Sequence, residues 1–365
     1  MASSRFLLLF ACCAALACVE TDRSPVAGRY SVSDSSGVQI AHNDGPQWSA
    51  GKGWTIDSTP VLSIGEGFDS SQQFSRLIGH VRFPDNTIVI VDGPTNELRY
   101  YDQQGNLRRR SGRKGSRVGS TPTVVGPSND CLKALVREAH PLPSAERDGR
   151  HQNDLLWRSL DGSVSEAVVS YPGIDTRTVI YNGVPLRQAV VWSNQPEFGA
   201  NIHRLVLGMG NSAEYRVFDL EGKLRRITRW KADVVPVTEH DRDEYNAKRS
   251  DYIRRNQADE NFIPPLELLT TAKVKPFYTD VIIDDANNVW LCRYSNSAID
   301  ALFDSKPLER SVTWMVFDST GKMLGEVAVP SALTIQHIGT GEIAGVWRGP
   351  NDVSSLRIYH ITKGP

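Results

Sequence analysis

Two glycine-rich segments have spacings like those of phosphate-binding loops, and both fail on context. Gly208-Met209-Gly210-Asn211-Ser212-Ala213 matches the G-x-G-x-x-A spacing, which binds dinucleotides where a helix begins. The following residues, 215–218, alternate as a strand does, so the segment is predicted to be a loop. Residues 112–116 contain Gly, Arg and Lys but lack the P-loop spacing. No cofactor is therefore predicted.

Metal ligands and nucleophiles are dispersed along the chain. The eight histidines show no HExxH-type spacing, and there is no G-x-S-x-G turn. The acidic run His240-Asp241-Arg242-Asp243-Glu244 is predicted to be a solvent-exposed first helical turn, because successive helical residues point in different directions. The sequence predicts no catalytic residue and no metal ligand.

A recurring four-strand pattern must position any functional site. Strand, turn, strand, short loop, strand and turn follow one another in residues 79–108, 204–227 and 279–324. Each copy has an aromatic residue followed by an Asp that lies three residues before a Gly, as in Tyr101-Asp102 before Gly105. The Asp and Gly favour a tight turn into the fourth strand. Such units, repeated around an axis, are the blades of a β-propeller.

The chain length favours six blades. One segment, residues 231–275, lacks strand character, and the rest of residues 48–365 gives about six blades at ~45 residues per blade, with five or seven left open. We therefore predict an all-β, six-bladed β-propeller over residues 36–365, with a helical insertion between blades at about 236–257. Thr238 is the expected helix cap, and Glu244–Lys248 and Asp251–Arg255 have i, i+4 spacing.

The propeller prediction also indicates which strands close the ring and where a ligand would bind. Residues 36–41 are the only strand-like segment before the first blade, and we expect them to pair beside residues 356–361. A ligand would bind at the mouth of the central channel, which the first strands line. The candidate mouth residues, chosen from strand register, are Arg82, Asp280, Asp284 and Gln336.

The N-terminus predicts export. Arg5 precedes the apolar run 6–17, which has the pattern of a secretory signal and is short for a membrane span. The run ends in Ala15-Leu16-Ala17-Cys18, which resembles the lipobox of bacterial lipoproteins, although their usual Leu at the first of these positions is Ala15 here. This resemblance implies a signal peptide at 1–17, lipidation of Cys18 and membrane anchoring. An ordinary cleaved signal peptide is the alternative.

The segment after the predicted signal peptide, the net charge and the remaining cysteines do not indicate a catalytic activity. Residues 18–35 are polar at first and are predicted to be a flexible tether. A net charge of -1 argues against a nucleic-acid partner, which would require phosphate neutralisation. Outside the export segment only Cys131 and Cys292 remain, and two isolated buried thiols are favoured over a disulfide.

Several segments carry a wider resemblance: Gly51-Lys52-Gly53-Trp54, residues 65–67, 97–105, 111–115, 215–226 and 275–280, and the end from Gly345-Val346-Trp347-Arg348 to Tyr359. Over nearly the whole mature chain they resemble the six-bladed, NHL-like propellers of bacterial envelope lipoproteins. Residues 116–120 depart from the Gly-Pro-Gly continuation usual in that group. The resemblance implies an architecture and supplies no catalytic residues.

Two functions fit these observations. The leading prediction is a lipid-anchored, non-catalytic binding or scaffold protein of the cell envelope, facing the periplasm or the cell surface. Its partner would be a small ligand or an envelope protein. The alternative is a metal-dependent, lactonase- or esterase-like hydrolase. In similar six-bladed propellers, Glu, Asn and Asp side chains from different blades hold a calcium ion at the central channel.

Overall fold

The chain folds mostly into short strands, as its alternating pattern predicts. The structure is a computed structural model that describes residues 28–49, 52–66, 73–74, 77–82, 85–92, 97–111, 124–127, 133–139, 149–159, 165–256, 268–303, 311–349 and 353–364. The predicted signal peptide, Cys18 and Cys131 lie outside these ranges. None of the helices within them is long and apolar enough to cross a membrane.

In chain order the described elements are β1 (Tyr30–Ser35), β2 (Val38–Asn43), β3 (Thr55–Ile56), β4 (Leu62–Ile64), β5 (Leu77–Arg82), β6 (Ile88–Asp92), β7 (Glu97–Tyr101), β8 (Leu107–Ser111), β9 (Val124–Pro127), β10 (Lys133–Ala139), β11 (Gly149–Ser159), β12 (Ser165–Tyr181), β13 (Val184–Ala189), β14 (Pro196–Ala200), β15 (Leu205–Met209), β16 (Glu214–Phe218), β17 (Leu224–Trp230), α1 (Glu239–Asn256), β18 (Tyr278–Ile283), β19 (Val289–Arg293), α2 (Ser297–Leu302), β20 (Ser311–Phe317), β21 (Met323–Pro330), β22 (Leu333–Ile338), β23 (Glu342–Arg348) and β24 (Ser354–Thr362).

These strands form five sheets in the described part of the chain, each built mainly from consecutive strands. The sheets run β5 to β8, β9 to β13, β14 to β17 with β2 and β1 added, β18 to β21, and β22 to β24 with β3 and β4 added. Contacts of β14 with β18, of β18 with β22, and of β23 and β24 with β5 place neighbouring sheets side by side. This succession is of the β-propeller type, and the count of six blades stays a prediction.

The N-terminal strands pair differently from the prediction. β2 runs parallel to β17, with Ile40 opposite Ile227, and does not pair with β24. β24 pairs antiparallel with β3 and β4 instead, with Ile64 opposite Leu356. The prediction was wrong because β3 and β4 are too short to show a clear alternation, and β2 was the only visible candidate.

Residues 30–35, at the end of the predicted tether, also form a strand. β1 and β2 are joined by Ser36 and Gly37, whose φ angles of 55° and 83° make a two-residue hairpin turn. The tether prediction is therefore corrected for this segment. Most of the β1 side chains are exposed, so its sequence resembles that of a polar linker.

The Asp-to-Gly repeat is a turn held by the Asp carboxylate. Oδ1 of Asp102 accepts hydrogen bonds from the backbone N–H groups of Gln104 and Asn106, at 3.0 and 2.8 Å. Asp219 and Asp318 do the same toward the residues four places on. The glycines of the three turns have φ angles between 81° and 87°, which glycine adopts without strain. The repeat thus fixes the hairpin between the third and fourth strands of each of these three repeats.

Between β17 and β18, α1 begins at the predicted cap. Thr238 Oγ1 accepts a hydrogen bond from the Asp241 N–H at 3.2 Å, and Asp241 Oδ2 accepts one from the Thr238 N–H at 2.8 Å. The predicted Glu244–Lys248 and Asp251–Arg255 pairs are present. Asp241 itself is 4% exposed and pairs with Lys275 at 2.6 Å. The prediction of a wholly exposed first turn was wrong there, because the strand-like segment before β18 packs against it.

Candidate functional site

A cavity of about 420 Å³ lies where the beginnings of β14, β18 and β22 meet the helical region. These are the first strands of three successive sheets, which line the channel in a propeller. The strands contribute Glu197, Tyr278, Thr279, Asp280, Thr334 and Ile335 to its wall. Further lining residues come from the chain before β14, from α1 and from residues 294–302, namely Trp192, Tyr245, Tyr294, Ala298, Ile299 and Leu302.

Strand register aligns one wall of this cavity. Asp280 of β18 lies opposite Cys292 of β19, which lies opposite Trp314 of β20. Directly opposed residues of antiparallel strands point to the same face, so the three side chains form a row. The pairing of β18 shifts between Tyr278 and Asp280, which leaves Thr279 as an extra residue in a β-bulge. Bulges re-aim side chains, and this one sets which residues face the cavity.

Asp280 is an acid of the cavity with a clearly shifted pKa. Its Oδ1 accepts a hydrogen bond from the Val281 N–H at 2.8 Å. Among the described residues, no Lys, Arg or His forms an ion pair with it. Burial raises the pKa of Asp280 to about 6, and the hydrogen bond from Val281 opposes this only in part. The carboxyl is thus ionised at neutral pH, without a cation from the surrounding described chain.

Several of the lining residues are aromatic and form an aromatic wall of the cavity. Trp192 Nε1 donates a hydrogen bond to the Tyr294 hydroxyl at 2.7 Å, which fixes both rings. The Trp192 and Tyr245 ring centroids are 5.6 Å apart. Both rings belong to a buried cluster with Ile299 and Phe303, so the helices pack firmly over the strand ends. Burial also raises the pKa of Tyr245, which keeps its hydroxyl protonated.

Of the four predicted mouth residues, Asp280 lines the cavity and the other three lie elsewhere. Arg82, at the end of β5, pairs with both carboxylate oxygens of Glu342 at 2.5 and 2.7 Å. Gln336 Oε1 is 2.8 Å from His80 Nδ1, and it also sits at a bulge, in β22. These contacts join β5 to β22 and β23, so both residues connect neighbouring sheets.

Asp284 has a structural role. It is 2% exposed and accepts hydrogen bonds from the Asn288 N–H at 2.7 Å, the Asn288 side-chain amide at 2.8 Å and Trp290 Nε1 at 3.0 Å. Asn287, three residues after Asp284, has a φ of 66°. This is the geometry of the repeated Asp turn, with Asn in place of Gly. The carboxylate of Asp284 therefore holds the β18–β19 turn.

The described residues contain few clustered acidic side chains. They include no group of three or more His, Cys, Asp or Glu that could hold a metal ion. The acidic residues among those lining the cavity are Glu197 and Asp280.

Sequence reasoning missed most of the cavity. Cys292 and Trp314 could have been found by extending the strand pairing from Asp280, because the third repeat contains all three. The sequence around Tyr245 predicts a helix but does not indicate what its ring packs against. Trp192 and Glu197 carry no sequence signal that marks them. Cys292, expected to be a buried thiol, is only partly buried because it faces the cavity.

No protein-family model and no curated protein matches the chain. Among solved structures, a candidate exported protein from Bacteroides fragilis is 9% identical, with 88% of this chain and 98% of that chain covered and a TM-score of 0.40. A DUF4221 family member from Bacteroides vulgatus is 11% identical, with 93% of each chain covered and a TM-score of 0.34. A gluconolactonase from Xanthomonas campestris is 11% identical, with 78% and 72% covered and a TM-score of 0.30. With TM-scores below 0.5, these similarities carry no argument about this chain.

Proposed function

We propose that this chain is an exported, lipid-anchored protein of the cell envelope that binds a small ligand without catalysing a reaction on it. In this proposal Cys18 carries the anchor, residues 36–365 form a six-bladed β-propeller with a helical insertion at about 236–257, and the ligand occupies the cavity between them. The protein would be able to bind an envelope protein as well as a small ligand.

The cavity at the strand ends carries this proposal. Its volume suits a small organic molecule, and its lining mixes aromatic and aliphatic side chains with a few polar groups, as small-molecule sites do. Catalysis by the Cys292 thiol would need a base beside it, and no His is among the described residues that line the cavity. Binding therefore explains the site with fewer requirements than catalysis.

A neutral apolar probe tests occupancy of the cavity. N-phenyl-1-naphthylamine fluoresces strongly when it leaves water, and we expect saturable binding to the purified mature protein with one site per chain. Ala298→Trp and Thr334→Trp would each fill the cavity from a different wall and should weaken binding at least tenfold. Ala328→Trp, on an exposed position of β21, is the matched control and should leave binding unchanged.

The outcomes separate clearly. Unsaturable binding, or binding that both cavity variants leave intact, would exclude the cavity as the ligand site. Two cavity variants are used because Ala298 lies in the short helix α2, whereas Thr334 is an exposed residue of β22. Far-ultraviolet circular dichroism on each variant separates lost binding from lost folding.

The anchor has its own test. Cells fed an alkyne fatty acid should label the wild-type protein and leave Cys18→Ala unlabelled, and the variant should leave the membrane fraction. A Cys18→Ala protein that remains fully membrane-associated would refute lipidation at this residue.

A further inference from the structure

The charged residues of the cavity share one sign. Among the described residues that line it, Glu197 and Asp280 are acidic, and there is no Lys, Arg or His. Two lysines near the cavity pair with other acids: Lys275 pairs with Asp241 at 2.6 Å and also lies 5.9 Å from the centroid of the Tyr294 ring, and Lys248 pairs with Glu244 and Asp300. The charged side chains among the described lining residues are therefore acidic, and Asp280 is the one whose surroundings are fully described.

The carboxylate of Asp280 has no counter-charge among the described residues. An ionised carboxyl in a partly buried position is normally paired with a cation or with several donors. Asp280 has one backbone N–H, from Val281, and no ion pair with a described residue. Desolvation dominates its environment, and no positive charge of the described chain offsets it. A positive group brought by a ligand would supply the missing partner.

The aromatic wall of the cavity suits the same kind of ligand. Trp192, Tyr245 and Tyr294 line the cavity with aromatic rings, held in place by the Trp192–Tyr294 hydrogen bond and by ring packing. The faces of such rings carry negative electrostatic potential and attract organic cations, while their area buries apolar groups. Trp314 adds a further ring beside Cys292, in the row that contains Asp280.

We propose that the cavity binds an organic cation, a protonated amine or quaternary ammonium with an apolar body, whose charge lies against Asp280 and whose body lies against the aromatic wall. This inference rests on the proposed binding function and names its ligand class. An anionic ligand would place two like charges together in the cavity. A neutral ligand would leave Asp280 without a counter-charge. An inorganic cation would gain little from the aromatic wall and would find few oxygen ligands.

Three probes with the same body isolate the effect of charge. 4-Phenylbutylamine, 4-phenylbutan-1-ol and 5-phenylpentanoate share a phenylbutyl body and differ in a cationic, neutral or anionic head group. Isothermal titration at pH 7.5 on the mature protein gives the dissociation constant of each. We expect the amine to bind roughly ten to a hundred times more tightly than the alcohol, and the carboxylate to bind most weakly, because a charge-assisted hydrogen bond is worth this range.

Variants assign the effect to Asp280. Asp280→Asn keeps the shape of the side chain and should reduce the preference for the amine over the alcohol to less than threefold, with binding of the alcohol retained. Trp192→Leu should weaken all three probes. Asp44→Asn, at an exposed acid after β2, is the matched control for removal of one negative charge and should preserve the full preference.

The results distinguish failure of the proposed binding function from failure of the proposed preference for a cation. If the naphthylamine probe and all three phenylbutyl probes fail to bind, the binding function itself is wrong. If the alcohol binds as tightly as the amine, or the carboxylate binds best, the cavity is a binding site and the cation inference is overturned. An amine preference that survives Asp280→Asn unchanged would also overturn it. Retained alcohol binding by that variant shows that it is folded.

Discussion

Two aspartates, one within β18 and one just after it, differ in the number of hydrogen bonds that their carboxylates accept. Asp284, just after the strand, is 2% exposed and accepts three hydrogen bonds from its own chain. Asp280, within the strand, accepts one from the Val281 N–H and faces a cavity. A buried carboxylate with a full set of donors stabilises a turn, whereas one without them keeps its capacity for an external partner. The same residue type therefore serves the fold at one place and a ligand at the other.

Like Asp284, other charged and polar side chains of the first strands β5 and β22 have partners within the protein. Arg82 pairs with Glu342, and His337 lies 3.1 Å from Asp285. His80 contacts Gln336, and burial lowers the pKa of His80, which keeps its ring neutral. These polar groups are matched within the described chain. The contrast with Asp280 predicts opposite responses to mutation.

The largest expected effect is at Asp284. Asp284→Ala removes the acceptor of three hydrogen bonds and leaves Trp290 Nε1 buried without a partner. We expect the apparent free energy of unfolding to fall by about 4 kcal/mol, since each lost hydrogen bond to a charged group contributes on the order of 1.5–3 kcal/mol before relaxation. Urea unfolding followed by tryptophan fluorescence measures this. A loss below 1 kcal/mol would mean that the turn does not depend on this carboxylate.

Asp280→Asn should act in the opposite direction. Burial raises the pKa of Asp280 from its ordinary value of 3.8 to about 6, so the folded state disfavours the ionised form. Removing the charge should stabilise the protein at pH 7.5 by on the order of 2 kcal/mol, given 1.36 kcal/mol per pKa unit and partial relaxation. The same urea experiment checks the sign, with Asp44→Asn as the control for an exposed acid.

The pH dependence gives a second measurement of Asp280. Because its pKa is higher in the folded state, the folded protein holds the proton more tightly between pH 4 and 6. The stabilising contribution is full below about pH 4 and is lost as the pH rises through about 6. The stability difference between Asp280→Asn and wild type should therefore be near zero at pH 4 and maximal above pH 7. An equal difference at both pH values would contradict the raised pKa.

Much of this contrast could be anticipated from the sequence, and part of it was misassigned. The Asp-x-x-Gly spacing predicted the turns at Asp102, Asp219 and Asp318, because that turn needs an acceptor and a residue with positive φ. Asp284 has Asn287 at the same offset, and Asn is the other residue that adopts positive φ readily. The sequence therefore already contained the signal that Asp284 belongs to a turn.

The cavity itself depends on features that leave little trace in the sequence. The bulge at Thr279 adds one residue to β18 without any change in composition. Strict alternation along the strand therefore assigns the residues before the bulge to the wrong face of the sheet. The position of α1 over the strand ends depends on packing of Tyr245 against Trp192, residues far apart in the chain. Short strands such as β3 escape detection for the same reason, because two residues show no period.

A smaller effect is expected where the helix cap supports the cavity. Thr238→Ala removes the acceptor for the Asp241 N–H and should destabilise α1 by about 1 kcal/mol. Hydrogen exchange should rise in α1 and remain unchanged in β18 and β19. Because Tyr245 lines the cavity from α1, amine binding should weaken by a few-fold. Exchange that rises equally throughout the sheets would show that α1 does not open as a local unit.

The smallest effect is expected at the paired charges of Arg82 and Glu342. Both side chains are about one-third exposed, and ion pairs in such positions contribute about 1 kcal/mol or less, because solvent screens them. Glu342→Gln should therefore change the free energy of unfolding by less than 1 kcal/mol and leave the preference for the amine over the alcohol intact. Comparing its salt dependence with that of wild type isolates the ion pair. A loss above 2 kcal/mol, or a changed amine preference, would show that this pair is coupled to the cavity, and the division between fold-serving and ligand-serving charges would not hold.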